Sequence, residues 1–160
     1  MKKIFMMMVA LLGIVSATMA QSNTNINPHF NKGYDADVTL LVTTNNIFHI
    51  NTSHGYNLGS GIFLGGGAGF GAEWSAEGVK GEPHYVPSLF VDARWSMLNT
   101  RVSPFVDVKA TQYIDLAEGA TNYGVTPTVG LDCGRFSLGI GYAIRGAEKS
   151  AMQVNVGFVF

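Results

Sequence analysis

The chain has 160 residues, a formal net charge of −1 and one cysteine, which together fit a single domain without an internal disulfide. Only 13% of the residues are charged, against about 25% in an ordinary soluble domain, whereas 20 residues are Gly and 47% are apolar. This apolar share argues against intrinsic disorder, and the lack of a basic excess argues against nucleic-acid binding. The single cysteine, Cys133, excludes a metal site of the CxxC type.

The N-terminal segment has the three parts of a secretory signal peptide. Basic residues precede an apolar core over 4–15, and small residues over 16–20 lead to a cleavage position. The apolar core is shorter than the ~20 residues that a spanning helix needs, and no cysteine follows it as in a lipoprotein. We therefore expect residues 1–20 to be removed and the mature chain to begin at Gln21.

The rest of the chain divides into a polar lead and a long region of alternating residues. Residues 21–32 are polar, include a proline and predict a flexible lead. From Gly33 onward, apolar and polar residues alternate with period two in eight runs, which predicts strands. The predicted strands are 33–43, 47–57, 61–73, 85–98, 102–113, 121–132, 135–145 and 151–160. Their length of ~10–13 residues matches what a tilted strand needs to cross a bilayer.

Each predicted strand has one apolar face and one face of small, polar or charged residues. In the run 135–145, the apolar face consists of Phe136, Leu138, Ile140, Tyr142 and Ile144. A two-residue turn at Cys133-Gly134 would continue this face across the hairpin, with Leu131 opposite Phe136. The agreement of the faces supports pairing of neighbouring runs.

A charge cluster lies on the polar face of the preceding hairpin. A two-residue turn at Asn99-Thr100 would place Asp92 opposite Asp107. Arg94 would then lie diagonal to Asp107, and Lys109 diagonal to Asp92, within reach of long side chains. We predict that these four residues form a structural charge cluster inside a barrel.

Alternation alone fits two architectures, a soluble barrel with its apolar face inside and a membrane barrel with its apolar face against lipid. The polar face carries few charges, whereas a soluble surface carries ~25–35% charged residues. A basic residue facing lipid at the midplane would cost up to ~2–4 kcal/mol, so Arg94 and Lys109 are expected to face the lumen. The sequence therefore predicts an eight-stranded antiparallel up-and-down transmembrane β-barrel over 33–160.

The positions of aromatic residues and the lengths of the connections favour the same architecture. Membrane barrels carry aromatic girdles at both interfaces. Aromatic residues gather near one set of strand ends at Tyr34, Tyr56, Phe136 and Phe160, and near the other set at Phe48, Trp74, Tyr85, Tyr113 and Tyr123. Tight turns are expected near 58–60, 99–101 and 133–134, and longer connections near 74–84 and 114–120 on the opposite side.

These features resemble a known family. The segments that carry the resemblance are TSHGY (52–56), FLGGGAGFG (63–71), LFVDARWSMLNTRVSPFVDVKATQY (89–113) and VNVGFVF (154–160). The chain resembles the small outer-membrane β-barrel proteins of Gram-negative bacteria, of the OmpX and OmpA-barrel type, and more narrowly the short barrel proteins common in Bacteroides. The resemblance implies an outer-membrane location and no particular activity. The terminal pattern with Phe158 and Phe160 resembles the signal read by the barrel assembly machinery.

Other motifs have simple structural explanations. The stretch 67–72 matches GxGxxA, but loop residues follow it instead of the helix that a nucleotide site requires. Ser53 and His54 are neighbours in a strand and point to opposite faces, so they do not form a nucleophile–base pair. His49 is expected inside the barrel. His84 and the nearby acidic residues are expected to be solvated loop charge.

We therefore expect a small outer-membrane barrel with a structural or surface-binding role through 74–84 and 114–120, without catalysis or cofactor. The expected partners are outer-membrane lipid and the barrel assembly machinery, and a monomer is expected. Two alternatives remain open on the sequence: an outer-membrane lipid-modifying enzyme that uses His54 or His49, and a secreted soluble ligand-binding β-barrel. The lumen charges Asp35 and Asp37 would join the predicted cluster either as a plug or as part of a conducting path.

Overall fold

The structure, a computed structural model, describes residues 26–44, 47–73, 84–114, 116, 119–145 and 150–160. A 3-10 helix, Pro28–Phe30, precedes the strands β1 (Gly33–Thr43), β2 (Ile47–Asn57), β3 (Ile62–Glu73), β4 (His84–Ser96), β5 (Val102–Ile114), β6 (Thr121–Cys133), β7 (Phe136–Ala143) and β8 (Ala151–Val159). The predicted signal peptide and most of the predicted connections 74–84 and 114–120 lie outside the described residues. Within the described ranges, no helix is both long and apolar enough to span a membrane.

The eight strands form a closed barrel in which each strand pairs antiparallel with its neighbour in sequence, and β8 pairs with β1. The closing ladder runs from Asp37 opposite Val159 to Thr43 opposite Gln153. Beyond it, the Phe160 backbone N–H donates to the carbonyl of Ala36 at 2.9 Å. Closure pairs the two strands that would otherwise be sheet edges. The predicted eight-stranded up-and-down topology is confirmed.

Alternation along the strands places apolar side chains outside and polar side chains inside. In β7 and β8 almost every second residue is buried. Val91 and Val129 on the outer surface are 63% and 60% exposed, whereas Asp92 in the lumen is 5% exposed. The narrow lumen is crowded: a Cβ on Gly67 of β3 would lie 2.6 Å from Cζ of the buried Phe90, and 1.9 Å from the Thr52 carbonyl oxygen of the neighbouring strand. The glycine motif 67–72 is therefore part of a strand wall.

The β4–β5 hairpin has a longer turn than the sequence predicted. Asp92 lies opposite Lys109, and Arg94 lies opposite Asp107, so the register is shifted by two residues from the predicted one. The Ser103 hydroxyl accepts a hydrogen bond from the Leu98 backbone N–H at 2.9 Å. Leu98 is the residue directly before the predicted Asn99-Thr100 turn. Because strand faces repeat every two residues, this shift leaves all four charges on the predicted face.

The β6–β7 hairpin shows the same kind of correction. Its turn consists of Gly134 and Arg135, with Cys133 opposite Phe136, instead of the predicted Cys133-Gly134. Gly134 has a φ of 66°, a left-handed conformation that glycine adopts without the steric penalty of a Cβ. The positive φ therefore fixes Gly134 as the first turn residue, and Leu131 pairs with Leu138 instead of Phe136.

Residues 26–32 pack against the barrel, although the sequence predicted a flexible lead over 21–32. They lie at the end of the barrel with the turns β2–β3, β4–β5 and β6–β7, which we call the short-turn end. Asn27 and His29 are 1% and 2% exposed. Pro28 begins the 3-10 helix, and the Asn27 side chain accepts the His29 backbone N–H at 3.1 Å. An asparagine cap before a proline is a common helix start, so this turn is locally encoded.

Candidate functional site in the barrel lumen

The centre of the lumen holds a buried network of charged side chains from β4 and β5 and a hydroxyl from β2. The Lys109 ammonium forms an ion pair with Asp92 and lies 3.3 Å from an Asp107 carboxylate oxygen. The Ser53 hydroxyl donates to Asp92 at 2.9 Å. Because both carboxylates lie beside one cation, Lys109 offsets part of the desolvation cost of each. Lys109 and Asp92 form the pair that the sequence predicted, as direct neighbours instead of diagonal ones.

Arg94 contacts Asp132 of β6, and not the predicted partner Asp107. The Ser96 hydroxyl donates to the second oxygen of Asp132 at 2.6 Å. The Arg94 guanidinium also lies 3.8 Å from the centroid of the Phe105 ring. The long arginine side chain reaches past the adjacent strand, and Asp107 is already engaged by Lys109. Sequence reasoning missed Asp132 because its contact with Arg94 depends on the curvature of the barrel.

Two further carboxylates project into the lumen from β1. The Asn57 amide donates to Asp35 at 2.6 Å, and the Thr39 hydroxyl donates to Asp37 at 3.0 Å. Both aspartates are buried. The predicted inward orientation of this strand face is therefore correct. Neutral polar side chains donate hydrogen bonds to both of its carboxylates.

The 3-10 helix adds an imidazole to the short-turn end of this network. His29 Nδ1 lies 3.3 Å from an Asp35 oxygen, and Nε2 lies 3.9 Å from an Asp132 oxygen. The Asn27 amide donates to the Leu98 carbonyl at 3.1 Å, and the Asn27 backbone N–H donates to the Asn99 side chain at 3.2 Å. Sequence reasoning did not identify these lumen residues. The Asn-Pro pair in an otherwise polar lead was the available local signal.

The opposite half of the lumen contains a small cavity. The cavity has a volume of ≈ 20 Å³, which is sufficient for about one water molecule, and Ser88 is among its lining residues. The Arg145 guanidinium stacks 3.8 Å from the centroid of the Tyr113 ring, and the His49 ring meets Tyr113 edge-on at 6.1 Å. Tyr113 was predicted to belong to an aromatic girdle, but it is buried in the lumen at 7% exposure.

Ser53 and His54 lie on opposite faces of β2, as the sequence predicted. Ser53 is buried in the lumen at 1% exposure, whereas His54 is exposed on the outer surface. The His54 ring shares a 2.6 Å hydrogen bond with the Tyr34 hydroxyl. A serine nucleophile therefore cannot reach this histidine from the neighbouring position.

The C-terminal aromatics form a chain on the outer surface at the short-turn end. The rings of Phe136 and Phe158 pack edge-on with their centroids 4.9 Å apart, and those of Phe158 and Phe160 pack edge-on with their centroids 5.0 Å apart. These contacts show where the predicted assembly-signal residues lie, and their role in assembly stays a prediction. Cys133 is a free, exposed cysteine near this end. Among the described residues, no group of three or more His, Cys, Asp or Glu side chains is placed to hold a metal ion.

Comparisons with known proteins yield structural similarity only. No family model and no curated protein matches the chain. The solution structure of the de novo designed TMB2.3 is similar with a TM-score of 0.50 at 15% identity, over 81% of this chain and 94% of the designed chain. The N-terminal β-barrel domain of Pseudomonas aeruginosa OprF has a TM-score of 0.49 at 14% identity, over 81% of this chain and 100% of that domain.

Neisserial surface protein A (NspA) has a TM-score of 0.46 at 13% identity, over 80% of this chain and 94% of that protein. At 15% identity, the similarity to the designed barrel establishes the fold alone. The closed topology, the apolar outer surface and the polar lumen agree with that fold. The chain therefore folds as a closed, eight-stranded, all-antiparallel up-and-down β-barrel.

Proposed function

We propose that this protein is an outer-membrane barrel that crosses the bilayer as a closed, non-catalytic scaffold with a structural or surface-binding role. The observation that carries the proposal is the inverted polarity of the barrel wall. Leu138 and Ile140 on the outer surface are 56% and 54% exposed, whereas Asp107 and Asn155 in the lumen are 4% and 6% exposed. A soluble barrel has the opposite arrangement, because water must solvate its outer surface.

Outer-membrane lipid is the partner that fits this surface. Burying apolar surface is worth about 25 cal/mol per Å², so a ring of exposed branched residues strongly favours an apolar solvent. Around the rim at the short-turn end, Tyr34 and Tyr56 are 62% and 46% exposed, and Trp95 is 50% exposed. Amphipathic rings at the ends of an apolar band suit the boundary between lipid tails and headgroups. Their position supports a bilayer and argues against a secreted soluble barrel.

The contents of the lumen support a barrel that is filled by side chains and does not conduct ions. Inside the lumen, Lys109–Asp92 joins the adjacent strands β4 and β5, and Arg94–Asp132 joins β4 to β6. An eight-stranded barrel has an interior just wide enough for side chains to fill. Residues 26–32 add further side chains at the short-turn end. We therefore favour a structural plug over a conducting path for the predicted charge cluster.

The surroundings of the histidines favour a non-catalytic role over a lipid-modifying enzyme. His54 faces outward and is bonded to Tyr34, and the adjacent Ser53 is bonded to Asp92 in the lumen. His49 is buried in the lumen at 2% exposure, away from the lipid surface. A general base must lie within hydrogen-bond reach of the group that it activates. Neither histidine meets this condition for a lipid substrate with Ser53 as the nucleophile.

Expression of the full chain in a Gram-negative host tests the location and the fold. We expect the mature protein in the outer-membrane fraction, with a folded band in unheated gels that shifts on boiling. Recovery in a soluble fraction without detergent would contradict the proposal. A Val91→Arg variant places a charge on the outer surface without touching the lumen network. If the outer surface faces lipid, this variant should give less of the folded band.

Two further measurements test the absence of conduction and catalysis. The purified barrel in planar bilayers should give no steady channel currents, and regular unitary openings would refute the closed lumen. Lipid A from a deletion strain and from its parent should have identical mass spectra. A change that is reversed by the wild-type gene, and not by a His54→Ala variant, would favour the lipid-modifying enzyme. The assembly machinery and the monomeric state stay predictions from the sequence.

A further inference from the structure

Residues 26–32 lie across the short-turn end of the barrel. His29 approaches Asp35 of β1 on one side and Asp132 of β6 on the other. Asn27 is bonded to the β4–β5 turn at Leu98 and Asn99. The segment therefore connects walls that are not neighbours in the barrel. We call residues 26–32 the strap.

The barrel wall is shaped to admit the strap. Gly61 in the β2–β3 turn has a φ of 78°, and a Cβ there would lie 2.9 Å from Phe30 Cζ and 2.1 Å from the Ser96 carbonyl oxygen. A Cβ on Gly59 would lie 3.1 Å from Lys32 Cβ. Two glycines of one turn thus leave room for two strap residues. This close fit indicates that the strap occupies a specific seat.

The strap covers one end of the internal charge network. Ser96, at the end of β4, is 0% exposed, and its hydroxyl binds the same Asp132 carboxylate that faces His29. Strap residues Asn27 and His29 are buried almost completely. The route from the short-turn side to Ser96 and Asp132 is therefore occupied by the strap.

Apart from Phe30 at Gly61, the strap is attached to the barrel by polar contacts of Asn27 and His29. Both ring nitrogens of His29 are buried without a well-aligned hydrogen bond, although each lies near a carboxylate. An imidazole in this state loses hydration without full compensation, which weakens the seated state relative to a hydrated one. The Asn27 contacts with the β4–β5 turn oppose release. Segments of this kind open locally at a smaller free-energy cost than the strands around them.

We propose that the strap is a releasable cover that controls access from the short-turn side to the Arg94–Asp132–Ser96 part of the lumen. Release exposes this polar cluster while the barrel wall stays closed, because the strap contributes no strand to the barrel. The far half of the lumen, around Ser88, lies beyond the central ion pairs and does not respond to the strap. Release of the strap is a property of the fold and does not depend on the proposed cellular role.

Cysteine labelling of the folded barrel in detergent tests this proposal. The reporter Ser96→Cys is placed in a Cys133→Ser background and treated with a positively charged methanethiosulfonate. The strap is then weakened by Asn27→Ala, which removes the side chain that caps the helix and binds the Leu98 carbonyl. We expect labelling to become at least about tenfold faster, since loss of such contacts raises the open population by that order. Asn27→Ser keeps a neutral cap acceptor for the His29 backbone N–H and should give an intermediate rate.

A second reporter, Ser88→Cys, separates local release from general loosening. It should label equally slowly with and without Asn27→Ala, and the heat shift should stay intact in every variant. Equal labelling of Ser96→Cys in both strap backgrounds would overturn the proposal. Parallel acceleration at both reporters would also overturn it, because the barrel as a whole would then be opening. If Asn27→Ala abolishes the heat shift, the comparison of Asn27→Ser with the parent decides by the same criteria.

Discussion

The buried contact between Arg94 and Asp132 can be tested by substitution of either residue. Arg94→Met removes the charge and keeps much of the side-chain volume. It leaves Asp132, which is 1% exposed, with the Ser96 hydroxyl as a donor and His29 at 3.9 Å. It also removes the guanidinium from the Phe105 ring. The variant therefore leaves a buried carboxylate without its nearest cation.

The expected loss of stability is large. Removing one partner of a buried ion pair costs about 3–5 kcal/mol, mainly because the remaining charge stays buried. The Phe105 contact adds about 0.5–2 kcal/mol, depending on its hydration. Asp132→Asn keeps an oxygen for Ser96 and removes the charge. The double variant with Arg94→Met should recover about 2–3 kcal/mol of the summed single losses, since neither charge is then left alone.

Urea unfolding of the barrel in lipid vesicles, followed by tryptophan fluorescence and gel shift, measures these free energies. The matched control is the double-mutant cycle of Arg94→Met with Asp107→Asn, because the register predicted from the sequence placed Arg94 beside Asp107. We expect its coupling to be clearly smaller, because Asp107 is engaged by Lys109 at 3.3 Å. Coupling to Asp107 that equals or exceeds coupling to Asp132 would refute the arrangement of the lumen charges.

Three other substitutions test the wall and the C-terminus. Val91→Arg, on the outer surface, should lower the free energy of unfolding in vesicles by about 2–4 kcal/mol near the midplane, and an unchanged urea midpoint would contradict a lipid-facing wall. Gly67→Ala should cost about 1–3 kcal/mol, because its Cβ would meet the Thr52 carbonyl at 1.9 Å, and wild-type stability would show that the wall can yield there. Phe160→Ser should lower the heat-shifted fraction in cells, whereas Phe160→Tyr should not. Equal fractions for the two variants would remove the predicted role of the terminal aromatic ring.

The sequence by itself determined the wall of the barrel. Alternation with period two assigned each residue to a face, and this assignment is insensitive to register errors of two residues. The inward orientation of Asp92 and Lys109, and the separation of Ser53 from His54, were therefore correct even where the turns were misplaced. The scarcity of charge then identified the apolar face as the outer one.

Only the tertiary structure decided which lumen residues meet. Arg94 reaches Asp132 on β6 because a closed barrel brings side chains of non-adjacent strands together, and no local pattern encodes that distance. His29 was hidden for the same reason, since its contacts with Asp35 and Asp132 depend on barrel closure. Local periodicity encodes the direction of a side chain, whereas the partner of that side chain depends on how the sheet curves and closes.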